Sequence, residues 1–288
     1  MRAPMRHPMC RAIRSVILVM SLDAATLLVA GCTVRLPVRA APVSCPQPET
    51  RELIAVPQPR DDELHVRFEL PDAPLLWRQP VSDQALERYR AAVLGRIGGR
   101  YDTKLVLEGA RQRPGPAPSA NRLREIANSR LVASGEVGTV TPMGCVELLA
   151  WREQARRFPM LEYPTEFAAF VLRRQGRVRI YFSGNNRVGG RIRREVTSLV
   201  RRDVAAGFVL EAHLHNHPFM FDRKVGDRMW TSVETQTDIG GEVAPSLTDV
   251  HFYRNALADT GLREIWVTNG FETVRIPSAD LGKLHGHP

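Results

Sequence analysis

Apolar and polar residues alternate in several segments of the N-terminal half, and each pattern predicts one element. Leu64–Leu70 alternates and predicts a strand. A helix is expected to begin at Ser82 and to end at Gly98-Gly99, because apolar residues recur between them at helical spacing. A second helix is expected from Asn121 to about Val132, after a proline-rich loop. We recognise no chemistry in residues 50–136.

From residue 137 onward, strand and helix patterns alternate to the end of the chain. Alternating or continuous apolar runs predict strands at Val137–Val140, Glu166–Leu172, Arg177–Phe182 and Phe208–His217, and a terminal hairpin turns at Asn269-Gly270. Apolar residues at helical spacing predict helices at Cys145–Arg157, Arg191–Ala206 and Ser246–Asp259. This order of elements predicts an α/β (α+β) fold, with residues 61–136 as a smaller N-terminal α/β extension of unknown role.

The composition is that of a globular protein. Among 288 residues, 43% are apolar and 25% are charged, which excludes collagen, a coiled coil and wholesale disorder. The formal net charge is +9, yet the chain has only three lysines, and its arginines are scattered rather than clustered. We interpret the excess as compositional bias, so no nucleic-acid partner is expected.

The N-terminus has the features of an export signal. Four arginines precede an apolar stretch, Val16–Leu28, that is shorter than a typical transmembrane helix. Val29-Ala30-Gly31-Cys32 resembles the bacterial lipobox, which implies cleavage after a signal peptide of residues 1–31 and a lipid on Cys32. The chain is then expected to be anchored through lipid in the bacterial cell envelope, facing the periplasm. Asp23 interrupts the apolar stretch, and the alternative is an ordinary cleaved signal or a signal anchor.

The cysteines agree with export. Cleavage would remove Cys10, and acylation would use Cys32, which leaves Cys45 and Cys145 as a possible disulfide in an oxidising compartment. The alternative is two unrelated thiols. Residues 32–60 are rich in proline and polar residues and are predicted to form a flexible tether between the lipid and the folded domain.

Histidines cluster at the end of one predicted strand. His213, His215 and His217 share one face of it, because strand side chains alternate. Two imidazoles placed two residues apart can reach one Zn²⁺, which needs a third protein ligand and leaves one position open for water. Asp249 is the candidate for that ligand, and His213 is a rival. Ser246 and Asp249 also form a predicted capping box, which would hold Asp249 in place.

Together these residues resemble the JAMM motif of the JAB/MPN metallopeptidases. His215-Asn-His217-Pro218 gives the first half, Ser246 and Asp249 give the second, and Glu166 stands on an earlier strand where the family places a glutamate. The resemblance covers residues 137–277 and implies a mixed sheet flanked by helices. Residues 278–288 are left as a C-terminal tail. One departure is an insertion, residues 219–244, between the proline and the serine.

The resemblance implies a zinc-dependent peptidase acting on peptides, proteins or peptidoglycan peptides. One Zn²⁺ would be held by His215, His217 and Asp249, with Glu166 as general base and Ser246 as hydrogen-bond donor to the oxyanion. Glu211 is a weaker rival base, since it lies ~13 Å along the strand from His215. Glu234 and Asp238, in the insertion, are further rivals.

Two other functions and the role of the insertion stay open. The chain could be a metal-containing binding module that does not cleave, and a branch of this family is associated with DNA repair, although export argues against that role. The insertion is expected to act as a lid, with surface decoration as the alternative. We expect its Phe219–Phe221 end to pack on the domain and its Thr231–Gly241 stretch to be mobile and gate entry.

Overall fold

The computed structural model describes residues 44–96, 101–102, 119–158, 160, 165–186, 192–219 and 241–287. The chain divides into two compact units, 1–40 and 41–288, and the described residues all belong to the second. The expected signal peptide, Cys32 and most of the insertion lie outside the described residues. Among the residues that are described, no helix has both the length and the apolar character needed to cross a membrane.

A single mixed sheet of eight strands forms the centre of the described unit. Its strands are β1 (Thr50–Leu53), β2 (Glu63–Pro71), β3 (Thr139–Pro142), β4 (Phe167–Arg174), β5 (Arg177–Asn185), β6 (Val209–Asn216), β7 (Glu264–Thr268) and β8 (Glu272–Pro277). Their order across the sheet is β1-β2-β5-β4-β6-β7-β8-β3. Only the β6–β7 pair is parallel among these strands, and the other neighbours are antiparallel.

Helices cover both faces of the sheet. They are α1 (Gln84–Arg96), α2 (Ala120–Ser134), α3 (Cys145–Arg157), α4 (Arg194–Ala205) and α5 (Leu247–Ala256), with short 3₁₀ helices at Pro74–Trp77 and Ser278–Lys283. Successive residues of β5 point to opposite faces, so Phe182 packs with α1 and α3, whereas Tyr181 packs with α2, α4 and α5. The predicted α/β (α+β) class, a mixed sheet flanked by helices, is confirmed.

The N-terminal part belongs to the same sheet. Strand β2 pairs with β5 over nine residues, from Glu63↔Asn185 to Pro71↔Arg177. The segment expected to be a flexible tether to residue 60 already contains β1, which pairs with β2. Cys45 and Cys145 form a disulfide that joins this segment to the first residue of α3. The tether prediction is therefore wrong for residues 45–53, because pairing and a covalent link override their proline-rich composition.

A bulge corrects the predicted faces of β6. Strict alternation along this strand would place Leu210, Ala212 and Leu214 on one face, opposite the histidines. In the structure, the pairing of β4 with β6 slips between Val171 and Leu172, and Leu210 packs in the core cluster on the histidine side. Ala212 and Leu214 pack in the other cluster. The bulge shifts the alternation by one residue, so only the part of the strand beyond it follows the prediction.

Candidate metal centre

Two of the three predicted metal ligands stand at the carboxyl end of β6. His215 is 8% exposed and His217 is 1% exposed. His217 follows the last residue of the strand, and its backbone N–H donates to the carbonyl of Thr268 on β7. This bond continues the parallel pairing beyond the strand and holds His217 beside His215. Both rings therefore project from a rigid sheet.

The third predicted ligand reaches the same point from α5. The Nε2 atoms of His215 and His217 lie 2.9 Å apart, and Asp249 Oδ2 lies 3.3 Å from each of them. Among the described residues, this is the one group of three or more His, Cys, Asp or Glu side chains close enough to share an ion. The structure brings together the predicted ligand set.

The donor atoms have the spacing that a tetrahedral ion requires. Ligands at 2.0–2.1 Å around such an ion are about 3.3–3.4 Å apart. The two His–Asp separations of 3.3 Å match this spacing, and the His–His separation of 2.9 Å is shorter by about 0.4 Å. Two imidazoles and one carboxylate suit zinc and also suit other first-row ions. The residues therefore fit a divalent first-row cation, a class to which zinc belongs.

Hydrogen bonds orient both imidazoles so that Nε2 faces the cluster. The ring nitrogen Nδ1 of His217 lies 2.6 Å from the carbonyl oxygen of Glu242. A carbonyl only accepts, so Nδ1 carries the hydrogen and the lone pair of the neutral ring is on Nε2. On the other ring, Nδ1 of His215 lies 2.9 Å from the hydroxyl of Tyr253. Such outer partners fix the tautomer of a metal-binding histidine.

Asp249 is held by the capping box that the sequence predicts. Its backbone N–H donates to Ser246 Oγ at 3.1 Å, and the Ser246 N–H donates to Asp249 Oδ2 at 2.8 Å. Burial alone raises the pKa of Asp249, but attraction by His215 and then close polar contacts with His215 and His217 outweigh it and hold this pKa well below its usual range. The carboxylate is therefore ionised.

The hydroxyl of Ser246 is also engaged with Asp249. Its oxygen lies 2.8 Å from Asp249 Oδ2, which accepts the hydroxyl hydrogen, and the residue is 5% exposed. In this arrangement Ser246 positions a ligand. The predicted role as donor to an oxyanion requires the hydroxyl hydrogen to turn away from Asp249.

Glu166 is the residue immediately before β4. The pairing of β4 with β6 sets Ala168 opposite His215, so Glu166, two residues before Ala168, lies at the same end of these strands as His217. Glu166 is half-buried and lines the same cavity as His215 and Asp249. The structure therefore places the predicted general base in the wall of the same cavity as two of the predicted ligands.

The cavity beside these residues runs across the sheet. Its volume is about 410 Å³, and besides Glu166, His215 and Asp249 its wall includes His65 on β2 and Ser183 on β5. Strands β2 and β6 are separated by β5 and β4, which corresponds to about 14 Å at the usual spacing between strands. A ligand that filled the cavity would contact both the candidate metal centre and the N-terminal part of the fold.

Two of the rival residues lie outside the ligand group. His213 is 3% exposed among Phe170, Phe252 and Tyr253, and neither ring nitrogen has a hydrogen-bond partner among the described residues. Burial, and then the nearby His215, lowers the pKa of His213 to about 3, so the ring is neutral at pH 7. The Glu211 carboxylate accepts a hydrogen bond from Arg263. The other rival bases, Glu234 and Asp238, lie outside the described residues.

The two ends of the insertion meet. Phe219 is 5% exposed and packs edge-on against Tyr101 and Phe271. Gly241 has a φ of +73°, and a Cβ at this position would lie 2.4 Å from the Phe219 ring. The described part of the predicted Phe219–Phe221 anchor thus packs on the domain, while residues 220–240, including most of the predicted gate, lie outside the described residues.

The sequence did not identify two partners of the histidines. Tyr253 had a detectable signal, because it stands four residues after Asp249 and therefore on the same side of the helix. The contact with Glu242 uses its backbone carbonyl, and because every residue has this group, the sequence gives no sign of the contact. No family model, curated protein or solved structure matches this chain.

Proposed function

We propose that this chain is a zinc-dependent hydrolase of peptide or isopeptide bonds, of the JAMM type of the JAB/MPN metallopeptidases. One observation carries the proposal. The side chains of His215, His217 and Asp249 converge to within 3.3 Å of one another, next to a cavity that Glu166 also lines. This combination of ligands, acid–base group and substrate space supports metal-assisted hydrolysis.

In this proposal each residue has one task. His215, His217 and Asp249 hold the ion, which when bound supplies a Lewis acid that makes a water molecule nucleophilic near neutral pH. Glu166 accepts a proton from the attacking water and delivers it to the leaving nitrogen. Ser246 keeps Asp249 in place through the capping box. The carbonyl of Glu242 and the hydroxyl of Tyr253 hold the two imidazoles in the ligating tautomer.

The shape of the cavity favours an extended peptide as substrate. A span of about 14 Å accommodates about four residues at 3.3 Å each. Near β2 the hydroxyl of Ser183 hydrogen bonds His65, whose lowered pKa keeps it neutral, and Glu63 is paired with Arg193. This end therefore combines uncharged hydrogen-bonding groups with one ion pair whose two charges balance. It suits the backbone or an uncharged side chain of a protein or peptidoglycan peptide.

Metal analysis followed by a cleavage screen tests the proposal. Purified protein beginning at residue 33 should contain one zinc per chain and should cleave members of a library of peptides and muropeptides. Glu166→Ala is the matched control, because it keeps the three ligands and removes the proposed base. If Glu166→Ala cleaved as fast as the wild type, the activity would come from a contaminant or use another base, and the proposed role of Glu166 would be wrong.

The engagement of the Ser246 hydroxyl favours a second candidate, a metal-containing binding module. With that hydrogen bonded to Asp249, the described site has one fewer group to stabilise an oxyanion. A binding module should hold zinc, cleave no member of the library and retain peptides on a column. Both candidate functions predict bound zinc, but only the hydrolase predicts turnover.

We also propose that the protein is a lipoprotein of the bacterial envelope. Its support is the lipobox-like sequence that ends at Cys32 and the Cys45–Cys145 disulfide, which is typical of an oxidising compartment. Cells given labelled palmitate should incorporate label into the wild type and not into Cys32→Ser. Equal labelling of both proteins would contradict the lipid anchor.

A further inference from the structure

The residue between the two metal-ligand histidines has its own structural task. Asn216 is 2% exposed, and its side-chain amide makes two hydrogen bonds to the backbone at the start of β4. Its Oδ1 accepts from the N–H of Phe167 at 2.6 Å, and its Nδ2 donates to the carbonyl of Thr165 at 3.0 Å. These two backbone groups flank Glu166 on either side.

The amide of Asn216 takes the place of a missing backbone ladder. The pairing of β4 with β6 begins at Ala168↔His215, one residue after Phe167. Beyond that point, the side chain of Asn216 supplies both the acceptor and the donor that a strand backbone would provide. Glu166, which lies just outside β4, is therefore tied to the strand that carries the histidines.

A second amide holds the same segment from α3. Gln154 Nε2 donates to the hydroxyl oxygen of Thr165 at 2.6 Å and to the carbonyl of Asn185 at 2.9 Å. Thr165 is fully buried, so its backbone and side chain are both fixed. Gln154 fixes Thr165 against β5, and Asn216 fixes the Glu166 segment against the metal ligands.

We propose that Asn216 is a positioning residue that sets the distance between the Glu166 carboxylate and the metal centre. An amide is required, because it both accepts from Phe167 and donates to Thr165. Aspartate lacks the donor and would face the Thr165 carbonyl with a second acceptor, and leucine would leave both backbone groups unpaired. A catalytic group displaced by about 1 Å loses on the order of 100-fold in rate, so a small slip of this segment matters. This inference rests on the proposed hydrolase function.

The first test separates turnover from binding and from stability. Asn216→Ala and Asn216→Asp should lower kcat by about 10–100-fold while KM and zinc content stay near those of the wild type. Asn128→Ala is the matched control, since Asn128 is also buried and its amide also pairs with the backbone, at His285. That variant should lose stability and keep its kcat. An equal loss of kcat in both variants, or loss of zinc in Asn216→Ala, would overturn the positioning role.

A double-mutant cycle tests whether Asn216 acts through Glu166. In a Glu166→Gln background, adding Asn216→Ala should leave kcat unchanged to within about twofold, because the group being positioned is already gone. A further loss as large as that seen in the wild-type background would show an independent effect and would overturn the inference.

A measurement that needs no activity keeps the inference distinct from the proposed function. By NMR, exchange of the Phe167 amide hydrogen should be about tenfold or more faster in Asn216→Ala than in wild type, while the Phe170 amide in mid-strand is unchanged. Equal exchange of the Phe167 amide hydrogen in both proteins would show that Asn216 does not hold this segment and would overturn the inference. Faster exchange in Asn216→Ala, together with a zinc-loaded wild type that cleaves nothing, would support the structural role of Asn216 and overturn the proposed hydrolase function.

Discussion

Removing the hydroxyl of Tyr253 should weaken zinc binding without disturbing the fold. Tyr253 is 2% exposed, and its hydroxyl lies 2.9 Å from Nδ1 of His215. With Nε2 turned to the metal, Nδ1 carries the hydrogen and donates it to this hydroxyl. Tyr253→Phe keeps the ring and removes the acceptor, so it leaves a buried imidazole N–H without its partner.

The size of the effect follows from this bond. An unsatisfied buried donor costs about 1–3 kcal/mol, and loss of an outer partner of a metal-binding histidine typically lowers metal affinity about 10–100-fold. These two magnitudes agree, since tenfold corresponds to about 1.4 kcal/mol. We therefore predict a zinc Kd about 10–100-fold above that of the wild type.

The assay is a zinc titration in competition with a chromogenic chelator. Tyr181→Phe is the matched control, because Tyr181 is also buried on the same side of the sheet and its hydroxyl donates to Asp203 instead. The control should bind zinc as the wild type does. If Tyr253→Phe also bound zinc within about twofold of the wild type, the proposed orientation of His215 would be refuted.

Three further predictions concern stability. Replacing Cys45 and Cys145 together by serine opens a link across 100 residues and should lower the free energy of unfolding in denaturant by about 2–5 kcal/mol; no change would mean that the disulfide does not form in the protein. Burial lowers the pKa of His65, so the unfolded chain takes up a proton at higher pH than the folded chain does. Stability should therefore fall as the pH drops below ~6.5, and less steeply in His65→Gln than in wild type; equal slopes would contradict this. Gly241→Ala should lower the melting temperature by about 2–4 °C or more, and by more than Gly261→Ala, which shares a positive φ but has open space around it.

The local elements could be predicted because their patterns have local causes. The helix predicted at Cys145–Arg157 has those bounds in the structure, since its apolar face is continuous and proline and glycine are absent from it. The strand predicted at Phe208–His217 is found at Val209–Asn216. In both segments the period of apolar residues is strong enough to determine the element without its neighbours.

The sheet order could not be predicted, because pairing between distant strands leaves little trace in sequence. The alternation in Leu64–Leu70 indicated a strand but not that β2 would pair with β5, more than 100 residues later. Thr50–Leu53 is exposed along its length and has no apolar alternation, so its pairing with β2 could not be predicted from the sequence. For the same reason, the contribution of His65 to the cavity was not expected.

The part of the candidate site that could be predicted is the set of side chains with a recognisable spacing along the sequence. His215 and His217 are two residues apart on a strand, and Ser246 and Asp249 form a helix cap, so each pair has a local geometric cause. The Glu242 carbonyl and the two bonds of Asn216 depend on backbone positions that only the folded chain defines.

The turnover number of zinc-loaded Glu166→Gln, on a peptide that the wild type cleaves, tests the central claim most directly. Glutamine keeps the size of the side chain and cannot accept the proton, while the ligands His215, His217 and Asp249 are untouched. We predict a loss of about 10²–10⁴-fold in kcat at a zinc content equal to that of the wild type. Turnover close to that of the wild type at equal zinc content would contradict the account.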